Sequence, residues 1–238
     1  MIMTNIWGYR IALHPTEKAF RPSVRAARQG CIVHDASYTS LIQIDGPQDA
    51  ILRIFDSTLD KAGESASSKR YIFGTREMQS YIYEHKAYPT NIIAPVYLIW
   101  HAADGVRDKR SVWLRCHPSA FNEVHQSLHN AATELSDNAL LIRDLRSHVN
   151  TFELYGPHSS QVLAGAFRLA KSNGKAQRIV GVTNSTIAMT NTSKAWQKLS
   201  KAATPAHFPT GFVAGFNVED PRLRYGVTTS DSRRLTHH

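Results

Sequence analysis

An α+β chain is predicted: a basic N-terminal segment followed by two related halves, each built as strand, Gly-Pro turn and helix. Three observations predict it. Alternating or β-branched runs are interleaved with runs of helical spacing. The order strand, Gly-Pro, helix occurs twice, around Gly46-Pro47 and Gly156-Pro157. The stretch WGYRIALHPTEKAFRPSVRAARQG, residues 7–30, carries Arg10, Lys18, Arg21, Arg25 and Arg28 against the single acid Glu17. This divides the chain into a basic segment (1–30), an α+β domain (31–225, halves about 31–135 and 136–225) and a polar tail (226–238).

Taken in order, Pro22 followed by SVRAARQ and Gly30 reads as a short helix, with Pro in the first turn and Gly past the end. Arg21, Arg25 and Arg28 stand at i, i+4 and i+7, so they share one face. Val24 and Ala27 supply a small apolar face for packing, and Phe20 is placed to fold back onto it. CIVHDAS and SLIQID alternate as half-buried strands do. After the GPQD turn, AILRIFDSTL is a helix with Ile51, Leu52, Phe55 and Leu59 on one stripe. DKAGESASSKR is a polar, serine-rich exposed loop.

YIFGTREMQSYIYEH, NIIAPVYLIWHA and RSVWLRCH are β-branched and aromatic with turn signals between them, and read as three strands. VRDKR makes a charged hairpin tip between the last two. PSAFNEVHQSLHNAATEL is a helix with Phe121, Val124, Leu128, Ala131 and Leu135 at helical spacing. SHVNTFELYGPHSSQVLAGAF repeats the strand, Gly-Pro and helix plan. HFPTGFVAGFNVEDPRL reads as a strand ending at an Asp-Pro turn.

Composition narrows the function classes. The 238 residues are 42% hydrophobic and 20% charged, enough for a buried core and unlike a disordered polyelectrolyte. The net charge of +9 favours a polyanionic partner. Cys31 and Cys116 have no C-x-x-C neighbour and read as free thiols of a reducing compartment. No apolar run reaches membrane-spanning length, and MIMTNIWGYR has no secretory h-region, so no membrane partner is expected.

The candidate chemistry is thin. His125 and His129 form H-x-x-x-H, but Gln126 stands where a zincin has its glutamate, so a polar helix flank is the stronger reading. His34 and Asp35 alternate along a strand and point to opposite faces, so with Ser37 they make no relay. Asn173-Gly174-Lys175 is a turn without the rest of a phosphate loop. Trp100 and Trp113 lie in strand patterns and read as core. No catalytic or metal-binding residue is assigned.

The basic groups are the better signal. The first joins Trp7, Tyr9, Arg10, His14, Lys18, Arg21, Arg25 and Arg28. The second is Lys69, Arg70 and Arg76 beside the serine-rich loop, and the third is Arg107, Lys109 and Arg110 at the hairpin tip. Guanidinium groups grip phosphates, and aromatic rings offer faces to unpaired bases. A solvated surface accounts for the same charges without a ligand.

The run WGYRIALHPTEKAFRPSVRAARQGCIVHDASYTSLIQIDGP resembles the N-terminal signature of the largest protein subunit of nuclear ribonuclease P and ribonuclease MRP, the Pop-one family. Its W-G-Y-R, P-T-E-K-x-F-R and H-D-A-S-Y elements are specific. The likeness continues through YIYEHKAYPTNIIAPVYLIW, RSVWLRCHPSAFNEV, IRDLRSHVNTFELYGPHSSQVL and FPTGFVAGFNVEDPRL.

The resemblance implies a nuclear and nucleolar ribonucleoprotein subunit. Its partners are the particle's RNA and other protein subunits, with precursor tRNA met indirectly. It implies a scaffold that supports 5′ maturation of precursor tRNA and processing of precursor rRNA. Catalysis then belongs to the RNA subunit, Mg2+ sits on that RNA, and this chain binds no cofactor. Family members are longer and carry W-H-A-K-R before W-G-Y-R, so a fragment or shortened member is expected. The strand–Gly-Pro–helix unit is also similar to the folate-binding fold of glycine-cleavage T-protein aminomethyltransferases, which carry D-x-S as Asp35-Ala36-Ser37 does here. That implies the alternative, a folate-dependent or tRNA-modifying enzyme, though no residue is assigned to a folate site.

Overall fold

The computed structural model describes residues 2–14, 16–101, 109–135, 140–170 and 186–223. The chain opens on a hairpin of β1 (Ile2–Ile6) and β2 (Tyr9–His14). A 3-10 turn at Glu17–Ala19 leads into α1 (Phe20–Gln29). Then come β3 (Ile32–Asp35), β4 (Ser40–Pro47), α2 (Gln48–Thr58) and the single turn α3 (Lys69–Ile72). Strands β5 (Met78–Tyr83), β6 (Ile92–Trp100) and β7 (Lys109–Cys116) precede α4 (Phe121–Leu135). The last elements are β8 (Leu141–Asp144), β9 (Phe152–Tyr155), α5 (Ser159–Ala166) and α6 (Thr186–Lys201).

The body is an antiparallel five-stranded sheet in the order β5-β6-β7-β4-β8. Period-2 alternation sends Ile42, Ile44, Val96, Leu98, Val112 and Leu114 to one face, all at most 1% exposed. There α2 and α4 close over them with Ile51, Ile54, Phe55, Val124 and Leu128. Trp100 sits at the centre, edge-on to Phe55, with its Nε1 donating to the Ala66 carbonyl at 3.1 Å. The opposite face carries a polar network. Trp113 Nε1 donates to Gln43, Gln43 donates to Asp45 Oδ1 at 2.8 Å, and Arg143 Nε donates to Asp45 Oδ2 at 3.0 Å. Burial pushes the Asp45 carboxyl up, but the donors Ser111, Gln43 and Arg143 outweigh it and hold it below its ordinary value.

Cys116 ends β7 within this sheet, 2% exposed, and burial pushes its thiol up to about 12. Cys31 is half-buried and also unbridged. Iodoacetamide at neutral pH is therefore expected to label Cys31 in the native protein, and Cys116 only after unfolding. Peptide mapping reads the outcome, and native labelling of Cys116 would contradict the packing.

Several sequence expectations change. Tyr71 and Phe73 are not strand residues: Ser68 caps a helical turn there by accepting from Arg70 N–H. Residues 208–218 form no strand among the described elements. They make isolated bridges, Phe212 to Arg76 and Val218 to Leu169. Pro209, Gly211 and Gly215 interrupt that run, and neither residue type sustains a ladder. Lys109 and Arg110 begin β7 rather than capping a hairpin tip, paired with Pro47 and Gly46. Asn173-Gly174-Lys175 and Arg107 lie outside the described residues.

The two Gly-Pro steps both join a strand to a helix, β4 to α2 and β9 to α5. Their surroundings differ. β4 is central in the large sheet, whereas β9 pairs with β3 in a separate two-stranded ribbon. β8 pairs with β4, so strands from both halves of the sequence interleave.

Gly156 decides where α1 sits. It has φ +117°, and a Cβ there would lie 2.5 Å from the Gly30 carbonyl oxygen and 3.2 Å from that of Ala26. The next contact is His158 N–H donating to Gly30 O at 3.0 Å. Gly156→Ala thus meets both a backbone clash and a left-handed penalty of about 1–2 kcal/mol. The expected result is release of α1 with the sheet core retained. Trypsin should then cut after Arg25 and Arg28 faster than in the parent, at nearly unchanged Tm. Unaltered cleavage rates would contradict this docking.

Candidate nucleic-acid interface

The basic segment folds as two exposed pieces. In the hairpin, Ile6 pairs with Tyr9 across a two-residue turn of Trp7 (φ 54°) and Gly8 (φ 84°). Both central residues are left-handed, as a type I′ turn requires. Glycine takes this conformation at no cost; for Trp7 it costs about 1–2 kcal/mol. The indole offsets that strain by packing edge-on to His117 at 4.5 Å between centroids, with Tyr38 at 6.2 Å. The turn is thereby pinned to the body of the protein, and Arg10 stands in the strand that leaves it.

Pro22 falls within the first turn of α1, where no intrahelical N–H is lost. Gly30 closes the helix, its N–H donating to Ala26 O at 2.8 Å. No residue of α1 is buried. The apolar flank expected to pack is instead open to solvent, with Phe20 58% and Val24 52% exposed. The physical reason is the docking just described: the helix end is held by His158 N–H donating to the Gly30 carbonyl, with Gly156 packed against Gly30 and Ala26, so its side chains are not needed for attachment. The arginines therefore remain outside. Arg21 and Arg25 line a shallow groove with Pro22, Ala26, Gln29 and Gly30.

Electrostatics separates the three basic groups. Among the described residues, no carboxylate lies within ion-pair distance of Arg10, Lys18, Arg21, Arg25 or Arg28, all of which are exposed. His14 ends β2, also exposed. In the second group, Lys69 is exposed, Arg70 pairs with Glu64 at 3.2 Å, and Arg76 donates to the Thr210 carbonyl at 2.8 Å. In the third, Lys109 is exposed. Arg110 stands opposite Gly46 in the β4–β7 ladder and turns inward. It donates to Gln48 and to the carbonyls of Ile72 and His101, and stands 5.1 Å from the Trp100 ring centroid. The structure leaves the first group exposed on the hairpin and α1 and ties Arg70, Arg76 and Arg110 into the fold.

The weaker candidates resolve as follows. His34 Nδ1 lies 3.1 Å from Glu153 on β9, while Asp35 accepts from the Ser37 N–H at 3.0 Å in a local turn. His125 stacks on Phe121 and lies 4.4 Å from His129 between ring centroids, and burial above all depresses its pKa. Among the described residues, no three His, Cys, Asp or Glu side chains are grouped to hold a metal ion. None of the described helices is long and apolar enough to cross a membrane.

Residues 1–47, which build the hairpin, α1, β3 and β4, match the family model for the N-terminal part of ribonucleases P/MRP protein subunit POP1. The chain is also 29% identical over 177 residues to the ribonucleases P/MRP protein subunit pop1 of Schizosaccharomyces pombe, which covers 69% of this chain and 24% of that protein. The chain is thus similar to POP1 proteins over most of its length. Two further POP1 relatives agree. The Arabidopsis thaliana protein is 24% identical over 75% of this chain, and the Homo sapiens protein 20% identical over 93%. The chain spans about a quarter of the length of these POP1 proteins, between 24% and 29%. Within the POP1 match lie all the exposed, unpaired arginines of the first group.

Proposed function

We propose that this chain is an RNA-binding scaffold element of a ribonuclease P/MRP particle, supporting maturation of precursor tRNA and precursor rRNA while the RNA subunit carries catalysis. One observation carries the reading: the row Arg21, Arg25 and Arg28 stands on a helix with no buried residue and no acidic partner among the described residues. A protein that used those arginines for its own stability would pair or bury them, as it does Arg110. Left outward, they suit the phosphates of a folded RNA, where crowded negative charge needs neutralising. The likeness to POP1 proteins supports the choice of polyanion. The other protein subunits of such a particle and a nuclear or nucleolar site belong to the same reading.

The test is a salt-titrated binding assay of the chain against a ribonuclease P RNA and an unrelated folded RNA of equal length. The proposal expects tighter binding to the first at every salt concentration, with log affinity falling linearly in log salt for both. Equal affinities would reduce the chain to a generic polycation. Retention of neither RNA near physiological salt would refute the proposal.

A further inference from the structure

We propose that the aromatic surface formed by Trp7, Tyr38, His34 and Tyr155 is a stacking site for unpaired bases of the RNA, distinct from the arginine row that takes its phosphates. The inference rests on the RNA-binding reading above and assigns the bases a place.

These residues come from three separate segments. Trp7 is the hairpin tip, 39% exposed. His34 is an exposed residue of β3, and Tyr38 lies in the turn that follows, its ring 5.9 Å from that of His34 and 6.2 Å from that of Trp7. Tyr155 is on β9, 51% exposed, and its hydroxyl donates to Glu153 Oε2, the oxygen that also faces His34 Nδ1. In the β3–β9 register His34 stands opposite Glu153 and Ile32 opposite Tyr155, so the imidazole, carboxylate and phenol share one face. The result is a run of partly exposed rings from the hairpin tip to the ribbon.

Two features select a base as the occupant. The first is the sign of the charge. The patch holds a carboxylate, Glu153, which its hydrogen bonds from Tyr155 and His34 keep ionised. A carboxylate repels phosphate but accepts from the amino groups of bases, and only Oε2 is engaged within the protein among the described residues. The second is position. Tyr155 immediately precedes Gly156, the residue pressed against Gly30 and Ala26 at the end of α1. A strand whose phosphates run along Arg21, Arg25 and Arg28 reaches the ring surface directly, with bases turned to the aromatics and backbone to the guanidiniums. The strained φ of Trp7 adds to this: the fold holds a large aromatic at an outer corner where glycine or asparagine would serve the turn.

The experiment compares two labelled RNAs, a fully paired duplex and the same duplex carrying a single-stranded extension. The proteins are the full chain and its Tyr38→Ala/Tyr155→Ala variant, with Tyr38→Phe/Tyr155→Phe as the control that keeps the rings. The parent is expected to prefer the RNA with the extension. The alanine variant should lose at least about ten-fold in affinity for that RNA. Its affinity for the duplex and its salt slope should stay unchanged, and the phenylalanine variant should bind like the parent. If the alanine variant bound both RNAs as the parent does, the stacking site would be wrong while the arginine row stood, and the patch would be left as a surface for a protein partner. Equal loss on both RNAs, or loss shared by the phenylalanine variant, would also overturn it, since neither is stacking. If the parent bound neither RNA, the RNA-binding reading itself would fall, and the stacking site with it.

Discussion

Reversal of Arg21, Arg25 and Arg28 to glutamate lowers affinity for structured RNA on the order of 100-fold near physiological salt. Each guanidinium at contact distance from a phosphate contributes about 1 kcal/mol in water-like surroundings. Three such contacts amount to about 3 kcal/mol, or roughly two decades in affinity. Repulsion by the new carboxylates adds to the loss. The slope of log affinity against log salt should fall by about three, one for each phosphate released. The fold should survive, because no residue of α1 is buried and the helix end is held at the Gly30 carbonyl by His158 N–H. Glutamate is also nearly as good a helix former as arginine. Filter binding and a thermal melt together decide the matter. An unchanged salt slope with a native Tm would mean these arginines do not touch RNA.

Trp100→Ala is the change expected to cost most in stability, about 3–5 kcal/mol. The side chain is 1% exposed, packs on Phe55 and lies beneath Arg110. Its loss leaves a cavity at the middle of the sheet-to-helix core. It also strips the Ala66 carbonyl of its indole donor and Arg110 of its ring. Against a typical total of about 5–15 kcal/mol, such a loss brings the domain near unfolding. Trp100→Phe keeps most of the volume and removes the hydrogen bond, so a cost of about 1–3 kcal/mol is expected. Urea titration of the two variants separates packing from hydrogen bonding. Equal midpoints for both would show that the cavity contributes little.

Much of the architecture was legible because it is encoded over short distances. Phe121, Val124, Leu128 and Ala131 recur at helical spacing, and all four are buried on α4. Ile42 and Ile44 alternate with Gln43 along β4, although Gln43 too is buried, under the polar network that no alternation announces. Arg21, Arg25 and Arg28 could be placed on one face from spacing alone, and the specific W-G-Y-R and H-D-A-S-Y elements pointed to the POP1 family.

Other features depended on residues far apart in the chain. The apolar flank of α1 looked ready to pack, yet its docking is decided by Gly156, more than a hundred residues away. Arg110 looked like part of a charged tip, and its acceptors on Gln48, Ile72 and His101 turn it inward. His34 looked like a strand end, and β9 made it the partner of Glu153. The sequence by itself determined α1, α2, α4 and α5, the core stripes, the arginine row and the likeness to POP1 proteins. Only the tertiary structure decided which cations remain unpaired and which rings share a surface. Periodicity reports the face a residue takes on its own element; what that face meets depends on strand pairing and backbone contacts between distant segments.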